Sequence, residues 1–284
     1  MASLLVPPVG YQGSKRILAP TILDVIRPDL RAPFWDLCCG GAAVGLEAVR
    51  RGLAPRLLTL VDHGPWGEVW RDIGQGRFDL ATFRALLADL PPEARRHDHL
   101  HWLARQPVTA RTRPAVFLVL QSGAFGGRAI RWEKGAWRPT NWRRPWHGVY
   151  AGRLASTKTM TPSPDLLLER VEALCEALEG MRGIHGDVRA VRPTAGVAYL
   201  DPPYRGMEHD YGASRFDALA YAQSLAIPCW ISEARRLTPT AHRLHARYAY
   251  RGIHGGRQRP RDEWLSCAGA KSPRPARRSA ALRA

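Results

Sequence analysis

Residues 34–62 read FWDLCCGGAAVGLEAVRRGLAPRLLTLVD, two apolar runs separated by a glycine pair and a stretch of helical period. Phe34 to Cys38 reads as a short strand, Ala42 to Gly52 as a helix stopped by Gly52, and Arg56 to Asp62 as the next strand. A connection that long and helical joins parallel strands, by a right-handed crossover. In parallel sheets, ligands gather at the carboxyl ends of strands. Asp36, Asp62 and Asp201 each fall at or near such an end. The pattern therefore predicts an α/β fold with a site at one edge of its sheet.

The rest of the 284 residues extends this reading, with enough apolar content for one large domain carrying an insertion. Ile17 to Ile26 is expected to be helical, with Pro20 tolerable only near the first turn. Phe78 to Leu90 and Arg113 to Phe125 also read as helices. Gly135 stands where a hairpin turn between Trp132 and Trp137 would need it. Another helix is signalled by Ser163 at the N-cap, Pro164 at the first position and Asp165 in the first turn, with Leu167, Val171, Leu174 and Leu178 as its stripe. Val197 to Leu200 and Ile227 to Ser232 resume the strand pattern. The expected organisation is a catalytic domain of residues 1–75 and 182–270, an inserted region of 76–181, and a disordered basic tail of 271–284. No stretch has the length or pattern of a membrane span or signal peptide. Five cysteines without CxxC spacing suggest reduced thiols, no metal site and a cytoplasmic setting.

Two stretches carry chemistry. The first is DLCCGGAAVGLEA (Asp36 to Ala48), where glycines let backbone amides approach a ligand at a helix N-terminus. Its spacing matches neither the dinucleotide fingerprint nor the phosphate loop. Asp62 is placed to bond a ribose hydroxyl pair, or else to close an Asx turn. The second is YLDPPYR (Tyr199 to Arg205). An exocyclic amine conjugated to a ring, as in adenine, is a poor nucleophile because its lone pair is delocalised. The Asp201 carboxylate and the Pro202 carbonyl could accept its two N–H bonds and draw the nitrogen toward tetrahedral geometry. Proline fixes φ at such a corner, and Tyr204 offers a face for the base to stack on. Positioning of this kind can supply effective molarities on the order of 10⁵–10⁸ M.

Charge points to the partner. The formal net charge is +17, which favours a polyanion such as nucleic acid. Between Gly127 and Lys158, the cations Arg128, Arg131, Lys134, Arg138, Arg143, Arg144, Arg153 and Lys158 are accompanied by one acid, Glu133. Trp132, Trp137, Trp142, Trp146 and Tyr150 are interleaved among them. Such cations neutralise phosphates, Arg can read guanine, and aromatics can stack on or wedge between bases. Some of the tryptophans are expected to complete a small core instead.

GYQGSKRILAPTI (Gly10 to Ile22), FWDLCCGGAAVGL (Phe34 to Leu46), FLVLQSGAFGGR (Phe117 to Arg128), HGDVRAV (His185 to Val191), YLDPPYRG (Tyr199 to Gly206) and FDALAYAQSL (Phe216 to Leu225) occur in this order. In that order they resemble the Dam-type N6-adenine DNA methyltransferases of the alpha arrangement. The resemblance implies a Rossmann-like S-adenosylmethionine-dependent sheet with an inserted, mostly helical and loop-rich DNA-recognition subdomain. It implies that Tyr11 and Lys15 close over the cofactor, Asp36, Gly40 and Ala42 line its methionine end, Asp62 its ribose, and Asp187 its adenine. Asp201 would touch both the cofactor pocket and the target amine. Arg128, Arg131, Lys134, Arg138, Arg143 and Arg144 would contact double-stranded DNA, with a restriction endonuclease as partner or none. The chain departs from the family in having Tyr11 and Ser14 where Trp and Gly are frequent, and Asp36 with a Cys pair where Glu-Pro-Phe is frequent. Cytosine-N4 methylation, RNA adenine methylation and a catalytically silent DNA-binding protein are the alternatives. The resemblance further implies association with the nucleoid through DNA.

Overall fold

The computed structural model describes residues 5–150, 153–205, 214–244 and 262–269. The expected tail of 271–284, Gly206 and the side chains of Tyr150 and Arg153 lie outside the described residues. The first helix, α1 (Ala19–Ile26), has Pro20 in its first turn, where the missing N–H is no loss. Strand β1 (Phe34–Leu37), helix α2 (Ala43–Arg50) and strand β2 (Leu58–Asp62) follow as the sequence predicts. Helix α3 (Pro65–Gly74) follows β2. The chain next forms α4 (Leu80–Ala88), α5 (Glu93–Leu103), α6 (Arg113–Gly123), the hairpin β3–β4 (Arg131–Glu133, Ala136–Arg138), the hairpin β5–β6 (Trp146–Tyr150, Arg153–Thr157) and α7 (Pro164–Ala177). It returns through β7 (Arg182–His185) and β8 (Val197–Leu200), then α8 (Ala218–Gln223), β9 (Cys229–Glu233), β10 (His242–Leu244) and β11 (Glu263–Ala268).

Among the described residues, seven strands form a central sheet in the order β10-β11-β9-β8-β1-β2-β7. Strands β7, β2, β1, β8 and β9 pair in parallel, while β11 runs antiparallel to both its neighbours. The protein is thus mixed α/β with a mostly parallel sheet, an architecture compatible with a Rossmann-like fold. Both faces are buried, which explains why the strands are apolar nearly throughout. Phe34, Leu58, Leu60 and Tyr199 point into a core shared with α1, α2, α3, α6 and α7. Their alternates Leu37, Val61, Ala198 and Leu200 face α8. The period of two decides which core each residue joins.

The 76–181 region is inserted in sequence but continuous in packing. Phe117 of α6 meets Trp66 of α3 edge-on at 5.1 Å and stacks on Trp137 at 6.1 Å. Trp132 faces Trp137 across the hairpin at 4.7 Å, in the register expected for a turn at Lys134–Gly135. Both turn residues have positive φ (49° and 78°), as a two-residue hairpin of this twist requires. Helix α7 starts at the Ser163 cap, whose hydroxyl accepts from Leu166 N–H, and its leucine and valine stripe is fully buried. Among the described residues no helix is long and apolar enough to cross a membrane.

Strand β7 rests directly on α3, and Gly67 makes that approach possible: a methyl there would lie 2.1 Å from the Asp62 carbonyl oxygen and 2.8 Å from His185 Cα. Both obstacles are backbone. Gly67→Ala should therefore destabilise the fold by about 3 kcal/mol. Gly186→Ala, whose methyl would meet only Ile184 Cγ2 at 3.9 Å, should stay within about 0.5 kcal/mol of the parent. Denaturant unfolding of the two variants checks the contrast.

Candidate active site

Strand β1 lies between β2 and β8, so three strand ends open side by side into one cleft. The Asp201 N–H donates to the Leu37 carbonyl at 3.1 Å, and Cys39 N–H donates to the Val61 carbonyl at 3.0 Å. These bonds carry the parallel pairing one step past the regular strands. The glycine turn and the DPPY corner are therefore immediate neighbours.

The turn is built by the two acids that precede and follow it. Asp36 is buried and accepts from Gly45 N–H at 2.8 Å, holding the first turn of α2. Asp62 spans the turn: one oxygen accepts from Gly40 N–H at 2.9 Å and the other from Gly64 N–H at 2.8 Å. The Asx-turn and ligand-facing readings of Asp62 thus coexist, since each carboxylate oxygen can accept a second bond. Trp70 Nε1 donates to the Gly40 carbonyl at 2.7 Å from below. Cys38 and Ala42 both adopt left-handed backbone (φ 57° and 56°), at about 1–2 kcal/mol each for residues with a Cβ. Strain of this kind tends to sit at functional sites. Burial pushes the Asp36 carboxyl well above the usual range and that of Asp62 above it.

Most of the residues expected at the cofactor line this cleft: Tyr11, Lys15, Asp36, Gly40, Asp62, Asp187 and Asp201. Ala42 is the exception. It is fully buried beneath the turn and absent from the cleft wall, where Gly41 and Ala43 stand instead. Its left-handed backbone turns its methyl into the core. Tyr11 covers Gly40 so closely that a methyl on Gly40 would lie 2.8 Å from the ring. Asp187 caps a single 3₁₀ turn (Val188–Ala190), and Arg189, ion-paired with it at 2.5 Å, holds its carboxyl below the ordinary value. The cleft encloses about 640 Å³, within the range of pockets that take a nucleoside-sized ligand.

At the corner, Lys15 Nζ lies 2.8 Å from Asp201 Oδ1 and 3.1 Å from the Gly13 carbonyl oxygen. Lys15 is only 8% exposed. It also sits 3.5 Å from Glu263 Oε1 and 5.1 Å from the centre of the Tyr204 ring. The Tyr204 hydroxyl donates to Glu263. Glu263 was not anticipated from the sequence: one acid at the start of an apolar run has no spacing that marks it. Burial pushes Asp201 up to about 6 against the pull of Lys15.

The inserted region divides its cations. Arg128, Lys134, Arg138 and Arg144 are exposed. Arg131 lines the cleft and pairs with Glu133 at 2.5 Å. Arg143 is half-buried. Its guanidinium donates to the Ala124 carbonyl (3.1 Å), the Ser122 carbonyl (3.2 Å) and Thr161 Oγ1 (2.7 Å), tying the end of α6 to the segment before α7. A side chain so occupied braces this junction. Trp132, Trp137 and Trp142 pack into the core, whereas Trp146 remains 43% exposed. Compared with known proteins, the chain matches no family model and no curated protein.

The raised Asp201 value has a sign that stability measurements can read. An acid whose folded value lies above its unfolded one favours the folded state below the unfolded value, and that contribution is lost as pH rises through the folded value. For Asp201 the window runs from 3.8 to about 6. Relative to the parent, Asp201→Asn should gain stability across that window and stay level above it, as followed by urea unfolding at stepped pH.

Proposed function

We propose that this chain is a Rossmann-like, S-adenosylmethionine-dependent DNA methyltransferase that acts on adenine N6. The observation that carries the reading is the hydrogen bond from Asp201 N–H to the Leu37 carbonyl, which sets the amine-gripping corner beside the glycine turn. A donor in one and an acceptor in the other would be within reach of each other.

The residues present fit the cofactor by chemistry. Asp36, Asp62 and Asp201 turn three carboxylates toward one cleft, a set suited to a sulfonium, an ammonium and a pair of ribose hydroxyls. No phosphate loop is built there, which disfavours a nucleotide triphosphate. In this reading Asp62 holds the ribose, Asp187 lies by the adenine ring, and Tyr11 closes over the glycine turn. The bound cofactor would supply an electrophilic methyl group.

The chain's own residues then act on the target. Asp201, with a value of about 6, is mostly ionised at neutral pH and accepts one N–H of the amine. The Pro202 carbonyl accepts the other. Together they localise the nitrogen lone pair; the N–C bond would form as the donor's S–CH3 bond breaks, and the proton then shed by the nitrogen would pass to the Asp201 carboxylate and on to water. Tyr204 presents its ring to the base. Burial keeps its phenol neutral, so it remains a donor to Glu263. Because the corner is recessed, the base must leave the duplex, at a cost of a few kcal/mol that phosphate and stacking contacts offset. Arg128, Lys134, Arg138 and Arg144 supply cations for the phosphates, and Trp146 an accessible ring.

Incubation with tritiated S-adenosylmethionine and double-stranded DNA tests the reading. Label should enter DNA, digest to N6-methyl-2′-deoxyadenosine, and vanish with Asp201→Ala. Label in cytosine, in RNA alone, or nowhere while DNA still binds would each replace this reading with a different one.

The two classes of arginine should separate cleanly. Arg144→Ala should lower the slope of log binding constant against log salt by about 1. Arg143→Ala should leave that slope unchanged and cost about 2–3 kcal/mol of stability, because it strips partners from buried carbonyls. Salt titrations of DNA binding and thermal unfolding of the two variants compare them.

A further inference from the structure

Strand β11 brings one acid to the corner from the antiparallel side of the sheet. Glu263 opens β11, opposite Leu244 of β10. Its carboxylate accepts the Tyr204 hydroxyl and stands 3.5 Å from Lys15 Nζ, while Asp201 stands 2.8 Å from the same ammonium. One buried cation is thereby shared by two carboxylates, and one of those carboxylates also fixes the aromatic ring.

We propose that Glu263 is a positioning residue of this site, holding the Tyr204 ring in place and competing with Asp201 for Lys15, so that the acid that grips the amine is only partly neutralised. The inference rests on the methyltransferase reading for its purpose but not for its geometry. Were Lys15 bound to Asp201 alone, the ammonium would satisfy the carboxylate that the amine needs. Glu263 draws part of that charge away and leaves Asp201 a stronger acceptor. It also gives a reason for Tyr over Phe at position 204, since the hydroxyl has a fixed partner. Fixing a ring that must meet a planar base removes rotamer freedom before the base arrives.

Asp201 feels other groups as well. Glu233 at the end of β9 and Asp36 on β1 add negative charge, and the Lys15 ammonium stands 2.8 Å away. Tyr199, Tyr204 and Cys38 are held neutral by burial. Of the two acids that push Asp201 upward most, Glu263 and then Glu233, only Glu263 touches Lys15.

The decisive variant is Glu263→Gln, which keeps an oxygen for the Tyr204 hydroxyl and deletes the charge. Two readouts are used on the full chain: the pH profile of kcat/KM for methyl transfer to duplex DNA, and the titration of the Asp201 carboxyl by ¹³C NMR, assigned with Asp201→Asn. Without the competing charge, Asp201 should ionise more readily. Its midpoint and the acid limb of the profile should both move down by about one pH unit. Glu263→Ala should in addition make Tyr204→Phe silent, because the hydroxyl then has no partner to lose. An unmoved Asp201 midpoint in Glu263→Gln overturns the proposal, even if activity falls. A parent protein that transfers no methyl group to DNA or RNA refutes the methyltransferase reading instead, and the carboxyl titration still decides the role of Glu263.

Discussion

The parallel pairing of β1 with β8 is the constraint on which the rest of the molecule depends. Phe34 through Leu37 register with Val197 through Leu200, and the pairing runs on through the Asp201 amide. Residues separated by more than 150 positions in the chain thus become neighbours at the strand ends. The helices on both faces bury the strands and fix that register, because a slip of one residue would exchange the two cores. Phe34 and Tyr199 would then meet α8, and Leu37 and Leu200 would face the tryptophans. The site is as well defined as this register.

The acids of the site serve the backbone before they serve any ligand. Asp36 and Asp62 each hold main-chain N–H groups at the ends of two adjacent strands. Their burial would be costly without those bonds, and the glycine turn would lack its shape without the acids. Lys15 plays the same double part at the corner, tied to the Gly13 carbonyl as well as to two carboxylates. Structure and chemistry draw on the same atoms. Conservative changes at these positions would move the backbone along with the charge.

Much of this was legible in the chain because it is local. The β1–α2–β2 run, the Ser163 cap with its leucine stripe, and the hairpin centred on Lys134–Gly135 each carry their own short-range signal. Other elements lack one. Helix α5 is polar for most of its length and buries only Leu100 and Leu103, so no stripe announces it. Strands β10 and β11 are specified by partners distant in sequence, whereas β5 and β6 pair with each other along the runs WHGVY and RLAST, which show no clear apolar alternation. Helix α3 does carry a signal, Pro65 at its start with Trp66, Val69, Trp70 and Ile73 at helical spacing, but it is overshadowed by the strand before it. In the site, residues at strand ends were readable from the strands. Glu263 and the bracing role of Arg143 arise only from tertiary contacts, and Ala42 was misplaced because a left-handed φ reverses where its methyl points.

A backbone hydrogen bond is among the contacts that join the two parts of the molecule near the cleft. Gln12 N–H donates to the Gly127 carbonyl at 2.7 Å, across a turn where Gly126 and Gly127 both have positive φ. The arm carrying Tyr11 and Lys15 is thus hooked to the stem from which the basic hairpins project. Movement of the arm over the glycine turn would tug that stem, and a load on the hairpins would pull back on the arm. Whatever occupies the cleft and whatever lies along the hairpins would therefore sense each other through this backbone hydrogen bond.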